Sequence, residues 1–152
     1  MAIAAGERVP DFSLQRLDGT VTPADLSGTT LLVFFPFAFS DVCTNQFSIL
    51  HELREDFAER EVTVYGVSCD APEASAAFQR ELGIDFPLLS DWEPKGEVSR
   101  AFGVLHPAGM PERALVLIGP DSLVQWSHQA ENPGVLPGAN LVFDALDASA
   151  TR

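Results

Sequence analysis

Hydrophobic residues recur along this chain with two different periods, and the switches between them divide it into strands and helices. Residues 30–35 form a continuous apolar and β-branched run of strand length, bounded by Gly28 and Pro36. Such a run predicts a strand buried on both faces of a parallel sheet. From Asp41 the period becomes helical, with Phe47, Leu50, Leu53 and Phe57 on one face and Glu52, Arg54, Glu55 and Glu59 on the exposed one. Ser40 stands where an N-cap belongs, so a helix is predicted over about 41–60. Val62–Ser68 is the next strand. A strand, helix, strand order implies a right-handed parallel crossover, which brings the ends of both strands to one edge of the sheet.

The remaining elements follow by the same reading. Residues 12–22 alternate around Asp18-Gly19, which predicts a hairpin turning on that dipeptide. Residues 23–28 form a short helical turn or loop. Asp70-x-x-Glu73 with Pro72 reads as a capping box opening a helix to about Leu82. Phe86–Leu89 is a short strand, Pro94–Val104 holds a short helix, and Leu136–Ala148 is an amphipathic closing helix. Arg113–Ile118 and Leu123–His128 flank Pro120-Asp121 as a second hairpin. There is no internal repeat and no low-complexity linker. The expected class is α/β, a central mixed sheet flanked by helices with an N-terminal β-hairpin.

The 152 residues fit a single domain, 1–152, large enough to bury a core without staples. Nine Lys plus Arg against 22 Asp plus Glu give a formal charge of −13. That balance argues against nucleic acid and anionic membrane as partners, while a neutral substrate is indifferent to it. The two cysteines, Cys43 and Cys69, lack C-x-x-C or zinc spacing, which fits a reducing compartment and gives no metal site. The N-terminal residues carry no basic region, their apolar run is too short for a signal peptide, and no later run reaches membrane-spanning length. The expected location is cytoplasmic.

The candidate chemistry lies where the central strand gives way to the first helix. Cys43 falls near the third helical position, where unpaired backbone N–H groups and the positive end of the macrodipole favour thiolate over thiol. A cysteine at such a place is also commonly a small buried apolar residue. Ser40, three residues earlier, either caps the helix or donates to the sulfur. Asp41 opposes a thiolate and calls for a compensating cation, for which Arg113 at the start of an apolar strand is the candidate; its plain alternative is a solvated strand end. His51 lies eight positions along the same helix, roughly 12 Å up its axis, too far to act as base. His106 and His128 fall in loop or strand-end contexts, and no Ser-His-Asp set or phosphate-cradling glycine loop is present. Cys69 follows a strand that ends on the same sheet edge as Cys43, so it is either a structural thiol or a disulfide partner if the Cα atoms approach within about 7 Å.

Pro36-x-x-x-Ser40-x-x-Cys43 on a strand-to-helix junction resembles the active-site signature of the peroxiredoxins, thiol peroxidases of thioredoxin-like fold. The resemblance spans nearly the whole chain. Val9-Pro10-Asp11-Phe12-x-Leu14, Val67-Ser68-Cys69-Asp70, Phe86–Asp91, Ala101-Phe102-Gly103-Val104 and Arg113–Ile118 are its further anchors. Ser90-Asp91-Trp92-x-Pro94-x-Gly96 and the absence of a late second cysteine are most similar to the one-cysteine alkyl hydroperoxide reductase E type. That type usually carries Glu three residues after the cysteine, where this chain has Gln46.

The resemblance implies an enzyme without bound cofactor in which the Cys43 thiolate attacks hydrogen peroxide or an organic hydroperoxide and becomes a sulfenic acid. It implies that Ser40, Arg113 and the Cys43 N–H orient the peroxide and that Pro36 shields the thiolate. Phe37, Phe39, Trp92 and Gln46 would line or border the pocket, with simple core filling as the alternative for the aromatic residues. Recycling would need an external thiol, mycothiol with a glutaredoxin-like protein or thioredoxin, and the family favours a homodimer. Two further readings stand beside this one. A thiol-disulfide oxidoreductase is weakened by Gln46 where the second cysteine would lie, and a non-catalytic redox sensor would signal through oxidised Cys43.

Overall fold

A computed structural model describes residues 2–132, 134 and 136–150. Among the described residues, seven strands and five α-helices follow one another as β1 (Leu14–Arg16), β2 (Gly19–Val21), β3 (Thr29–Phe34), α1 (Asp41–Glu52), α2 (Arg54–Glu59), β4 (Val62–Ser68), α3 (Pro72–Leu82), β5 (Leu88–Ser90), α4 (Glu97–Ala101), β6 (Ala114–Ile118), β7 (Val124–Gln129) and α5 (Ala139–Ala150). All seven strands join one sheet in the order β2-β1-β5-β4-β3-β6-β7. The β3–β4 and β4–β5 pairs are parallel and the others antiparallel, giving the α/β, mixed-sheet, thioredoxin-like architecture that the strand order implies.

Side-chain alternation along β3 separates two cores. Leu31, Val33 and Phe35 pack on one face with Cys43, Phe47, Leu50, Phe57 and Phe78. Leu32 and Phe34 pack on the other with Phe12, Val67, Leu89, Val98 and Phe102. Because β3 lies inside the sheet, between β4 and β6, and is buried on both faces, its sequence has no polar period, as a strand covered on both sides requires. Gly66 on β4 admits a close approach: a Cβ there would lie 2.5 Å from Leu88 Cδ2 and 2.9 Å from Phe47 Cζ.

Three expectations are corrected. The helix predicted over 41–60 is two helices meeting at Leu53, whose φ −96° and ψ 10° interrupt it. Arg54 Nη1 donates to the His51 carbonyl at 2.9 Å, taking up an acceptor at the break. The apolar period survives it, so Phe57 still faces the core. The first hairpin pairs Arg16 with Gly19, so its turn centres on Leu17-Asp18 rather than Asp18-Gly19; Gly19 opens β2 with φ 150°. The capping box at α3 does not form. The N-cap is Ala71 with no side-chain cap, because the Asp70 carboxylate is engaged elsewhere, as described below. Pro72 at the helix start and left-handed Gly83 after its end are as the sequence predicts.

Candidate active site

β3 carries the chain to the edge of the sheet, and Pro36, which has no N–H to donate, ends the strand. Phe39 adopts a left-handed φ of 66° that turns the chain into Ser40 and α1. Ser40 is the N-cap, with extended backbone, and its Oγ accepts the Cys43 N–H at 3.4 Å. The hydroxyl donates to the Phe37 carbonyl at 3.2 Å, so in this geometry Ser40 caps the helix and its hydroxyl hydrogen is directed away from the sulfur. Cys43 is the third residue of α1, and its side chain is fully buried.

The cation comes from the neighbouring strand. β6 runs antiparallel to β3 with Ala114 opposite Phe34, so Arg113, one residue before β6, arrives at the edge where β3 ends. Its side chain is 2 % exposed. Nη2 donates to Cys43 Sγ at 3.1 Å, and Nη1 donates to Gln46 Oε1 at 2.5 Å. Gln46 lies one helical turn beyond Cys43, so sulfur and amide present themselves side by side to the two prongs of one planar guanidinium. Negative charge appearing on the sulfur, or on an atom bonded to it, meets a donor already in place.

The remaining predicted pocket residues divide. Gln46 also borders a cavity of about 110 Å³ lined by Ile49, Leu50, Leu115, Leu136 and Val142. Phe37 and Trp92 line a cleft of about 210 Å³ together with Pro36, Asp70 and Lys95, and the cysteine that lines it is Cys69 rather than Cys43. Phe39 joins neither: half exposed, it packs against Phe78 of α3 with ring centroids 5.0 Å apart.

Cys69 has the surroundings of an inert thiol. Burial first, then the carboxylate of Asp91, push its pKa up to about 11. It stands two residues past Val67 and faces Ser99 of α4, on the sheet side where Val67, Val98 and Phe102 pack. Cys43 packs on the other side with Leu31, Val33 and Phe35. Both cysteines are free. Asp91, itself buried, accepts from Val98 N at 3.1 Å and from Ser99 N and Oγ at 2.7 Å each, which satisfies the first turn of α4. Burial nevertheless raises its pKa.

Asp70, too, is placed differently from the sequence reading. Asp70 Oδ2 accepts the Ala38 N–H at 2.8 Å and the Ser68 hydroxyl at 2.7 Å, tying the loop before α1 to the end of β4. The right-handed crossover puts those two strand ends side by side, and that was the available signal.

The AhpC/TSA family model matches residues 5–127. Alkyl hydroperoxide reductase E of Mycobacterium tuberculosis (strain ATCC 25618 / H37Rv) is 31% identical over 147 residues, covering 94% of this chain and 95% of its own. Among solved structures, Enterococcus faecalis AhpC superposes with a TM-score of 0.87 at 26% identity, over 99% of this chain and 94% of that one. The peroxidoxin BcpB of Mycobacterium tuberculosis does so with 0.82 at 28% identity, over 99% of both.

Proposed function

Because the chain belongs to the AhpC/TSA family, as a peroxiredoxin of the alkyl hydroperoxide reductase E type, we propose that its thiol-dependent peroxidase activity runs through Cys43. The Arg113 contact to Cys43 Sγ at 3.1 Å is the observation that carries this reading. The thiolate attacks the terminal oxygen of the hydroperoxide. An S–O bond forms as the O–O bond breaks, sulfur loses two electrons to the peroxide, and the leaving oxygen takes a proton to depart as water or alcohol. Charge moves from sulfur to the leaving oxygen, and a guanidinium fork anchored by Gln46 spans both centres without reorganising. Ser40 holds the first turn in place, and its long 3.4 Å contact leaves the Cys43 N–H loosely engaged and open to a peroxide oxygen. Pro36, which ends β3, is the residue we assign to shielding the thiolate from water.

Hydrogen peroxide and organic hydroperoxides are the proposed substrates, since a neutral oxidant is indifferent to the −13 charge. An external thiol, mycothiol with a glutaredoxin-like protein or thioredoxin, reduces the sulfenic acid. Cys69 is not the resolving thiol in this reading, and its opposite sheet face and raised pKa support that. We take residues 1–152 as one domain because all seven strands share a sheet, and we place it in the cytoplasm, where external thiols are reduced. Exposed Phe37, Phe39, Ile49 and Trp92 around the active-site loop support a homodimer built there.

Peroxide consumption with a supplied thiol tests the assignment. Cys43→Ser is expected to abolish turnover, and wild-type consumption by that variant would overturn it. A sensor would oxidise once without turning over, and an oxidoreductase would reduce insulin disulfides.

A further inference from the structure

We propose that Asp70 is a positioning residue for Cys43, acting through the loop that delivers it; this rests on the peroxidase reading above. Residues 37–40 connect the end of β3 to the first turn of α1. Most of their hydrogen bonds are local: Ser40 Oγ to the Phe37 carbonyl, Cys43 N to Ser40 Oγ, and Thr44 N and Oγ1 to the Ser40 carbonyl. Among the described residues, one hydrogen bond fastens this loop to another element, from Ala38 N to Asp70 Oδ2 at 2.8 Å.

The loop needs such a tie. Phe39 sits at φ 66°, a left-handed conformation unfavourable for a bulky side chain, and its ring is half exposed. Left to itself, the segment would relax and carry the first turn of α1 with it. Three contacts oppose that: the Asp70 hydrogen bond, the Phe39–Phe78 ring contact and the packing of Ala38 against the core. The first two anchor the loop to one stretch of chain, because α3, which carries Phe78, begins two residues after Asp70. Asp70 is itself fixed: its Oδ2 accepts the Ser68 hydroxyl, and its carbonyl accepts the Ser90 hydroxyl. The carboxylate is therefore a fixed post between β4, β5 and the loop that follows β3.

The consequence divides the catalytic cycle. Oxidation requires Cys43 Sγ to stay against Arg113, and a small peroxide can use a buried sulfur. Reduction requires a larger thiol to attack the Cys43 sulfenic acid, forming an S–S bond and expelling the oxygen as water. With Cys43 fully buried, that step needs the loop to open. Asp70 therefore favours the first half-reaction and restrains the second.

Rapid mixing of wild type, Asp70→Asn and Asp70→Ala with one equivalent of hydrogen peroxide, then of the oxidised proteins with dithiothreitol, measures both halves. Amide hydrogen exchange at Ala38 is followed in parallel. In Asp70→Ala, Cys43 oxidation is expected to slow about tenfold, the loss of one charge-assisted hydrogen bond. Its sulfenic acid should be reduced as fast as in wild type or faster, and protection at Ala38 should be lost. Asp70→Asn, which keeps an acceptor oxygen, should lose less. Wild-type oxidation rates in Asp70→Ala, or both half-reactions slowing together, would overturn the proposal. If Asp70→Ala does not fold, exchange in the wild type decides: a protected Ala38 amide supports the tie and a freely exchanging one removes it. A wild type that never forms a sulfenic acid at Cys43 would instead defeat the peroxidase reading.

Discussion

Arg113 is the largest of the fully buried side chains, and a guanidinium taken that far from water persists only where its donors are occupied. Two of them are occupied by Cys43 and Gln46, so the residue is committed to the site rather than to general packing. Lysine keeps the charge but not the fork. Arg113→Lys should therefore slow Cys43 oxidation in stopped-flow mixing by about a hundredfold, the scale of one lost transition-state donor; a rate equal to wild type would remove Arg113 from the chemistry. Cys69 gives the opposite expectation. In Cys43→Ser, thiolate absorbance should rise only near pH 11, and a titration near the ordinary thiol value would contradict its buried setting. The meeting of Cys43 and Ser40 was legible in the sequence, because helix-start chemistry is local; Arg113 was legible as the cation only through the family resemblance, since it lies 70 positions from Cys43, beside a strand that pairs with β3. The places of Phe37 and Trp92 were not. Both are apolar loop residues, and which cavity an exposed ring borders is decided by distant segments.

At the scale of elements, α1 must be seated accurately for Cys43 to reach Arg113, and Gly66 lets it approach the sheet. A methyl there would collide with Leu88 and with Phe47, one turn along from Cys43. Gly66→Ala should cost about 1–3 kcal/mol and lower the melting temperature by several degrees; an unchanged calorimetric transition would show that Phe47 moves aside freely. Ser40→Ala removes the α1 cap at a cost of about 1 kcal/mol, read by denaturant unfolding, and a stability equal to wild type would show the cap to be idle. Helix positions were readable from apolar spacing, which is why Phe47, Leu50 and Phe57 all face the core despite the break at Leu53. Asp70 was misread because the capping-box pattern tests only local partners. The Ala38 amide, 32 positions away in sequence, competes successfully for the same oxygen.

For the molecule as a whole, 22 acidic against nine basic residues make like-charge repulsion a standing cost of the folded state near neutrality. Salt screens exposed charges that lie farther apart than the Debye length, about 10 Å at 0.1 M. The melting temperature should therefore rise with sodium chloride, and a fall would mean that attractive pairs such as Arg60–Asp147 outweigh the repulsion. Asp91 acts in the same sense with pH. Its folded pKa is raised by burial, so its contribution is present below the ordinary carboxylate range and lost as pH rises through the raised value. The sheet's parallel centre and flanking hairpins followed from element order alone, since crossover handedness leaves few alternatives. The separation of the two cysteines onto opposite sheet faces did not, because it depends on strand register.

That separation makes one measurement the most direct: the intact mass of reduced wild type and Cys69→Ser after one equivalent of hydrogen peroxide with a sulfenic acid trap present. A trap adduct mapped to Cys43 and identical in both proteins is the predicted result. A loss of two hydrogens in wild type that disappears in Cys69→Ser would contradict it, making Cys69 the resolving thiol across the sheet.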